Sequence, residues 1–244
     1  MNEGCFYRAG HCPALSHAHR LLEQWGYSFS PKPCQEVRYL LLPVTSFDEK
    51  GQIKGGGKLD EILQKLPKDI TVIGGNLHSP LLEGYQTIDL LQDPDYVTEN
   101  AQITAHCALA LAMNALPVVP ARQKALVIGW GRIGKCLAQL LKGMGAQVTV
   151  AARKAADRAM LRALGYNAID TADLDTTPYR LIFNTVPAMV CPECPGKGLK
   201  IDLASRQGLG GGDVIWARGL PGKHAPQSAG QLMAQSIARI INKE

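Results

Sequence analysis

Three glycines, Gly129, Gly131 and Gly134, stand at G-x-G-x-x-G spacing immediately after the apolar run Ala125-Leu-Val-Ile128. That run is short and β-branched enough to form a buried parallel strand, and Ile133, Leu137, Leu140 and Leu141 then recur at helical spacing. In such a strand–turn–helix each glycine has its own reason. Gly129 permits the tight turn, Gly131 lets the backbone approach a pyrophosphate, and Gly134 lets helix and strand pack closely. The N–H groups around Arg132, Ile133 and Gly134, at the positive end of the helix dipole, are then available to phosphate oxygens. A second apolar stretch, Gln147 to Ala152, closes a βαβ unit. Glycine spacing alone is weak evidence; strand, turn, helix and strand in order point to a bound dinucleotide rather than a phosphate-free structural turn.

The end of that second strand indicates which dinucleotide. NAD is usually held there by an acidic residue on its ribose 2′-hydroxyl. This chain has Arg153-Lys154 instead, with no acid before Asp157. Two cations suit a 2′-phosphate, and arginine binds one in a planar, bidentate way. NADP is therefore expected rather than NAD; the alternative is a solvated basic loop. Later strands are expected at Gly165–Ile169, Arg180–Asn184, Leu199–Leu203 and Val214–Ala217. In open parallel sheets ligands bind beyond the carboxyl ends of strands. Asn184, Thr185, Val186, Pro187 and Asp202 are therefore expected around the cofactor, with Ser205 and Arg206 facing the same crevice.

The rest of the chain must position these residues. Its 244 residues exceed the usual length of one domain, and two are expected. With 46% hydrophobic and 19% charged residues it has an ordinary globular composition. The net charge of +5 is scattered, with no basic block or interleaved aromatic patch for nucleic acid. No apolar run reaches membrane-span length, and the first residues lack a signal-peptide pattern, so a cytoplasmic location is expected. The seven cysteines have no framework spacing and read as free thiols. Cys191-Pro-Glu-Cys194 is half a zinc site without a second pair, and no metal is expected.

The first half alternates strands and helices: strands near Cys5–Gly10, Gly26–Phe29, Val37–Val44 and Ile70–Ile73, helices at Pro13–Trp25 and Leu59–Leu66, and a short helix from Ser79-Pro80. Leu15, Ala18, Leu22 and Trp25 share one face of the first helix, with His17 and His19 on its solvated surface. Lys54-Gly-Gly-Gly-Lys58 lacks phosphate-loop spacing and reads as a mobile loop rather than an anion clamp. Asp95–Leu116 reads as a long domain-crossing helix, stopped by Pro117 and Pro120. The fold class expected is α/β: a Rossmann-type doubly wound parallel sheet plus a smaller flavodoxin-like or Rossmann-like domain. The expected boundaries are residues 1–97 for the substrate-side domain, 98–120 for the linking helix and 121–225 for the NADP-binding domain. Residues 226–244 are then a C-terminal helix packing back between the domains.

Ile201-Asp-Leu-Ala-Ser-Arg206, Gly219-Leu-Pro-Gly222 and Ala225-Pro-Gln-Ser-Ala-Gly230 resemble the C-terminal signature of the dipicolinate synthase family, in its A-type subunit. Ile128–Gly134, Ala151–Arg153, Asn184–Pro187, Leu42-Pro-Val-Thr45 and Glu99-Asn100 fit the same family. The resemblance implies a fold similar to the two-domain D-2-hydroxyacid dehydrogenases. It implies NADP-linked oxidation of a dihydrodipicolinate-level compound to dipicolinate in sporulating bacteria, a flavoprotein-like second subunit, and a homodimer.

A small ring dicarboxylate calls for cationic and hydroxyl donors. On the resemblance, Thr45, Asn100 and Arg206 are the substrate contacts. Arg206 would pair bidentately with a carboxylate, unless it forms a structural ion pair with Asp202. Ser205 would donate a hydrogen bond. His224 is the candidate acid/base, against the reading that it is a bystander; His106 reads as a helix-packing residue. Two competing functions remain. One is a non-catalytic NADP-binding subunit completed by its partner. The other is a D-2-hydroxyacid dehydrogenase, disfavoured because no acidic residue lies between Asp213 and Glu244 to support a histidine.

Overall fold

The computed structural model describes residues 4–242, so the outermost ends of the first and last expected segments lie outside the described residues. The chain divides into two compact units. One comprises the residues up to Asn100 together with those from Pro221 onward; the other is Ala101–Leu220.

The first unit contains β1 (Cys5–Arg8), α1 (Pro13–Gln24), β2 (Phe29–Ser30), β3 (Val37–Leu41), α2 (Leu59–Leu63), β4 (Thr71–Gly74) and β5 (Gln86–Asp89). All strands are parallel, in the order β2-β1-β3-β4-β5. This is the flavodoxin-like order, whose direction of growth reverses between β1 and β3. The strands bury apolar side chains on both faces, as a covered parallel sheet requires, with Phe6, Leu40, Leu41, Val72 and Ile73 fully enclosed. The edge strand β5 carries little signal in the sequence, because Gln86-Thr-Ile-Asp89 has one strongly apolar residue.

In α1, Leu15, Ala18 and Leu22 form the buried stripe, but Trp25 is 45% exposed, since the helix ends at Gln24 and Trp25 is its C-cap. His17 and His19 are half-buried rather than on a solvated face. His19 stacks on Phe29 at 4.0 Å and pairs with Glu23 at 3.1 Å. The C-terminal helix α7 (Pro226–Ile241) belongs to this unit and packs along α1. A side chain at Gly230 would come within 2.4 Å of the Ala14 carbonyl oxygen, so glycine is what lets the two helices approach. Arg239 on α7 pairs with Asp93 and, at 3.4 Å, with Asp95.

The long helix α3 (Pro94–Ala115) runs through the boundary between the units. Ala101, Ala105, Ala108 and Ala112 are buried along it, whereas Ala110 and His106 are exposed; His106 is therefore not a packing residue. Among the described residues no helix is long and apolar enough to cross a membrane.

The second unit contains β6 (Lys124–Ile128), α4 (Arg132–Gly143), β7 (Gln147–Ala151), α5 (Ala155–Ala163), β8 (Asn167–Ile169), β9 (Leu181–Asn184), β10 (Leu199–Asp202) and β11 (Val214–Trp216). These strands are also parallel, in the order β11-β10-β9-β6-β7-β8. This is the doubly wound dinucleotide-binding order, with its switch point between β6 and β9. The short helix α6 (Leu220–His224) then leads into α7.

Candidate functional site

At the switch point of the second sheet, the turn after β6 meets the turn after β9. Gly129 has φ +104°, a left-handed conformation that glycine adopts freely. A side chain there would also come within 2.4 Å of the Thr185 hydroxyl. That hydroxyl is fixed by donating to the Ile128 carbonyl at 2.9 Å. Gly134, one turn into α4, faces the Gly129 carbonyl so closely that a Cβ would lie 2.1 Å from its oxygen.

Both glycines are thus required by the protein itself. Gly131 is not. Its backbone (φ −82°, ψ −172°) suits any residue, and a Cβ built on it would meet nothing within 4 Å. It is the N-cap of α4, and no side chain caps the helix. The first amide of this helix with a backbone partner is that of Lys135, donating to Gly131 at 2.9 Å. Unsatisfied N–H groups at a helix N-terminus, with open space above a glycine, make a cradle for an anion. The residues present fit a dinucleotide diphosphate.

The turn after β7 is held by Arg158. Its guanidinium donates to the Ala152 and Arg153 carbonyls at 2.8 and 2.7 Å and pairs with Asp170 at 2.7 Å. Arg153 and Lys154 are both exposed beyond it, and among the described residues neither side chain forms an ion pair. Sequence reasoning misses Arg158, since nothing marks a helical arginine as one that turns back onto the strand end.

Asn184 and Asp202, expected among the cofactor contacts, are instead completely buried. The amide of Asn184 closes a turn with Val186 through two 3.0 Å bonds and donates to Asp202 at 3.1 Å. The carboxylate of Asp202 also accepts the N–H groups of Ala204, Gly208 and Leu209 at 3.0, 2.7 and 2.9 Å. Its oxygens are spent on these backbone N–H groups and the Asn184 amide, so it shapes the loop, and among the described residues it forms no ion pair with Arg206. A side chain at Gly208 would lie 2.4 Å from the Ala188 carbonyl oxygen, so this glycine allows the loops after β9 and β10 to meet. Ser205 and Arg206 stand exposed at the tip of that anchored loop. Thr185 and Val186 are half-buried and Pro187 is exposed along the adjoining turn.

Of the remaining candidates, Thr45 and His224 are exposed and Asn100 is half-buried, all in the first unit. Cys191 and Cys194 are buried in the apolar cluster with Leu126, Ile128 and Leu209. Burial, and then the hydrogen bond with Cys194, push the Cys191 thiol up to about 11. Among the described residues no three His, Cys, Asp or Glu side chains gather to hold a metal. Lys200, unforeseen as a buried residue, pairs with Asp213 at 2.6 Å and holds that carboxyl below its usual range. It sits in the first half of β10, away from the carboxyl ends.

The two parallel sheets and the glycine turn define an α/β protein with a doubly wound, Rossmann-type second unit. The fold is shared with the D-lactate dehydrogenase of Salmonella (TM-score 0.60, 12% identity, covering 98% of this chain and 96% of that one). No family model matches the chain. It is similar to the A-type subunit of dipicolinate synthase from Bacillus subtilis, with 25% identity over 236 residues, spanning 86% of this chain and 79% of that one. The crystal structure of the corresponding dipicolinate synthase subunit from Bacillus halodurans superposes with a TM-score of 0.86 at 21% identity, covering 98% of each chain.

Proposed function

We propose that this chain is the NADP-binding oxidoreductase subunit of a dipicolinate synthase, oxidising a dihydrodipicolinate-level compound to dipicolinate. The observation that carries the nucleotide part is Gly131, a glycine that no neighbour demands, at the uncapped end of α4. The similarity to the Bacillus subtilis dipicolinate synthase subunit supports the substrate part.

Aromatising the dihydro ring removes one hydride and one proton; when bound, the nicotinamide supplies the hydride acceptor. The chain's residues do the rest. The N–H groups around Arg132–Gly134 bind the diphosphate, Thr185 and Val186 wall the turn beside it, and Arg153 with Lys154 takes the 2′-phosphate. Arg206 and Ser205 offer a cation and a hydroxyl to a substrate carboxylate. His224 is the candidate acceptor of the proton. A second reading, a nucleotide-binding subunit inactive without a flavoprotein-like partner, is favoured by the relative's being named as one subunit of a synthase.

The test combines the purified chain, freshly prepared dihydrodipicolinate and NADP, with and without the candidate second subunit. Dipicolinate and NADPH formed by the chain alone support the first reading, and formation only with both proteins supports the second. NADPH should bind more tightly than NADH, and Arg153→Ala should weaken NADPH alone by about tenfold, ~1.4 kcal/mol. Equal affinities for the two cofactors would refute the NADP assignment.

A further inference from the structure

We infer that the first unit carries its own binding site for a small planar carboxylate, with Lys54 as its cation, at the switch point of the first sheet. The inference rests on the dipicolinate reading for the ring of the ligand, but not for its carboxylate.

The topology selects the place. A flavodoxin-like sheet binds its ligand outside the carboxyl ends of the two strands where the order reverses, here β1 and β3. The segment following β3 folds into a concavity of about 560 Å³ whose lining includes Thr45, Phe47, Gln52, Lys54 and Gly55. That volume lies within the range of small-molecule sites, roughly 300–1,000 Å³.

The glycine run read as a mobile loop is a fastened turn. Lys54 N–H donates to the Ser46 carbonyl and Ile53 N–H to the Gly57 carbonyl, both at 3.0 Å. The Lys54 carbonyl accepts from His11 N–H at 3.0 Å, just beyond β1. Side chains at Gly55 and Gly56 would lie 2.2 Å from the His11 carbonyl oxygen and 2.7 Å from the Gly10 Cα. These glycines therefore exist to seat the turn against the end of β1. Ser46, fully buried, bonds in turn to Gly75 beyond β4 through two 3.0 Å contacts. The concavity is thus fastened to three strand ends before any ligand arrives, and preorganisation of this kind lowers the cost of binding.

The chemistry of the lining selects the ligand. The Lys54 ammonium is exposed and has no ion-pair partner among the described residues. Among the described residues of the lining the acidic side chain is Asp48, and it is turned into its own loop, its Oδ1 accepting the N–H groups of Lys50 and Gln52, each at 2.9 Å. Thr45 adds an exposed hydroxyl, and the half-buried ring of Phe47 adds an aromatic wall. Cation, hydroxyl and ring together suit a carboxylate carried on a flat ring.

The full-length chain should be titrated calorimetrically at low salt with pyridine-2,6-dicarboxylate and, separately, with pyruvate, using wild type, Lys54→Met, Lys54→Arg and Phe47→Leu. Lys54→Met is expected to weaken the dicarboxylate at least tenfold with the melting temperature and NADPH affinity unchanged. Lys54→Arg is expected to stay within about threefold, and Phe47→Leu to weaken the ring ligand more than pyruvate. Wild-type affinity in Lys54→Met, or no carboxylate bound by wild type at millimolar concentration, would overturn the site. If dicarboxylate affinity is untouched in Lys54→Met while the wild-type protein still turns over dihydrodipicolinate, the site fails and the dipicolinate reading survives. If wild type binds only pyruvate and Lys54→Met abolishes it, the carboxylate site stands and the dipicolinate reading fails.

Discussion

Replacing Gly131 with alanine should separate nucleotide binding from folding. The backbone at this N-cap (φ −82°, ψ −172°) is one that alanine adopts without strain, and the added methyl would meet nothing within 4 Å. By restricting the unfolded chain alanine gains about 0.4–1 kcal/mol, and as an N-cap it is poorer than glycine by about the same amount. The two effects offset, so the melting temperature should stay within about 4 °C of wild type. Gly134→Ala, only three positions on, drives its methyl to 2.1 Å from the Gly129 carbonyl oxygen, where neither partner is a flexible side-chain tip. Overpacking of that kind costs about 3 kcal/mol or more, or roughly 6–12 °C. The methyl of Gly131→Ala meanwhile occupies the space a diphosphate must enter. NADPH affinity should therefore fall at least tenfold, about 1.4 kcal/mol. Calorimetric melting of both variants, followed by fluorescence titration of Gly131→Ala with NADPH, provides the assay. A Gly131→Ala protein that melts like wild type and binds NADPH like wild type would refute the reasoning, because the open space would then have no occupant.

Two further perturbations test what holds the site in shape. Asp202→Asn keeps the size of the side chain but presents an amide NH2 to backbone N–H groups, orphaning two buried donors at a cost of about 3 kcal/mol; an unchanged guanidinium midpoint would refute the loop-anchoring role. Arg239→Met tests the pair with Asp93, a residue whose side chain is 10% exposed. Burial raises the carboxyl of Asp93, but the Arg239 guanidinium and the N–H groups of Asp95 and Tyr96 outweigh it, leaving the group below its ordinary range. A carboxyl so depressed stabilises the fold above its unfolded pKa, and that contribution is lost as pH falls through the lower folded value. Arg239→Met should therefore cost about 1–2 kcal/mol at neutral pH. The difference from wild type should shrink as pH drops below about 4, and a difference independent of pH in urea melts would exclude the pairing as its source.

The second unit is the more legible half because its sequence states its geometry locally. Ala125–Ile128 and Gln147–Ala152 are nearly unbroken apolar runs, as doubly covered parallel strands must be. The glycines between them mark a turn with a narrow set of solutions. What stays hidden depends on contacts distant in sequence. Asp202 looks like a ligand-facing acid at a strand end, and only the folded loop shows Gly208 and Leu209 bringing their N–H groups back to it. Lys200 sits in a strand as if misplaced, and its explanation, Asp213, lies across a loop. The first unit is harder. β2 has only two residues, and the glycine run gives no hint that Gly10 and His11 pack against it. Trp25 fits the helical period and fails only because the helix stops one residue short of it.

The buried carboxylate of Asp202 has a consequence for how this scaffold changes over time. It gathers Ala204 on one side of Ser205 and Arg206, and Gly208 and Leu209 on the other. The two exposed residues are thereby mounted on a bracket whose fastenings lie elsewhere. Drift or engineering can exchange the tip without retuning the bracket. If Ser205 and Arg206 meet the substrate as proposed, selectivity and architecture are inherited separately, and a library confined to positions 205 and 206 should keep its members folded while sampling new substrates.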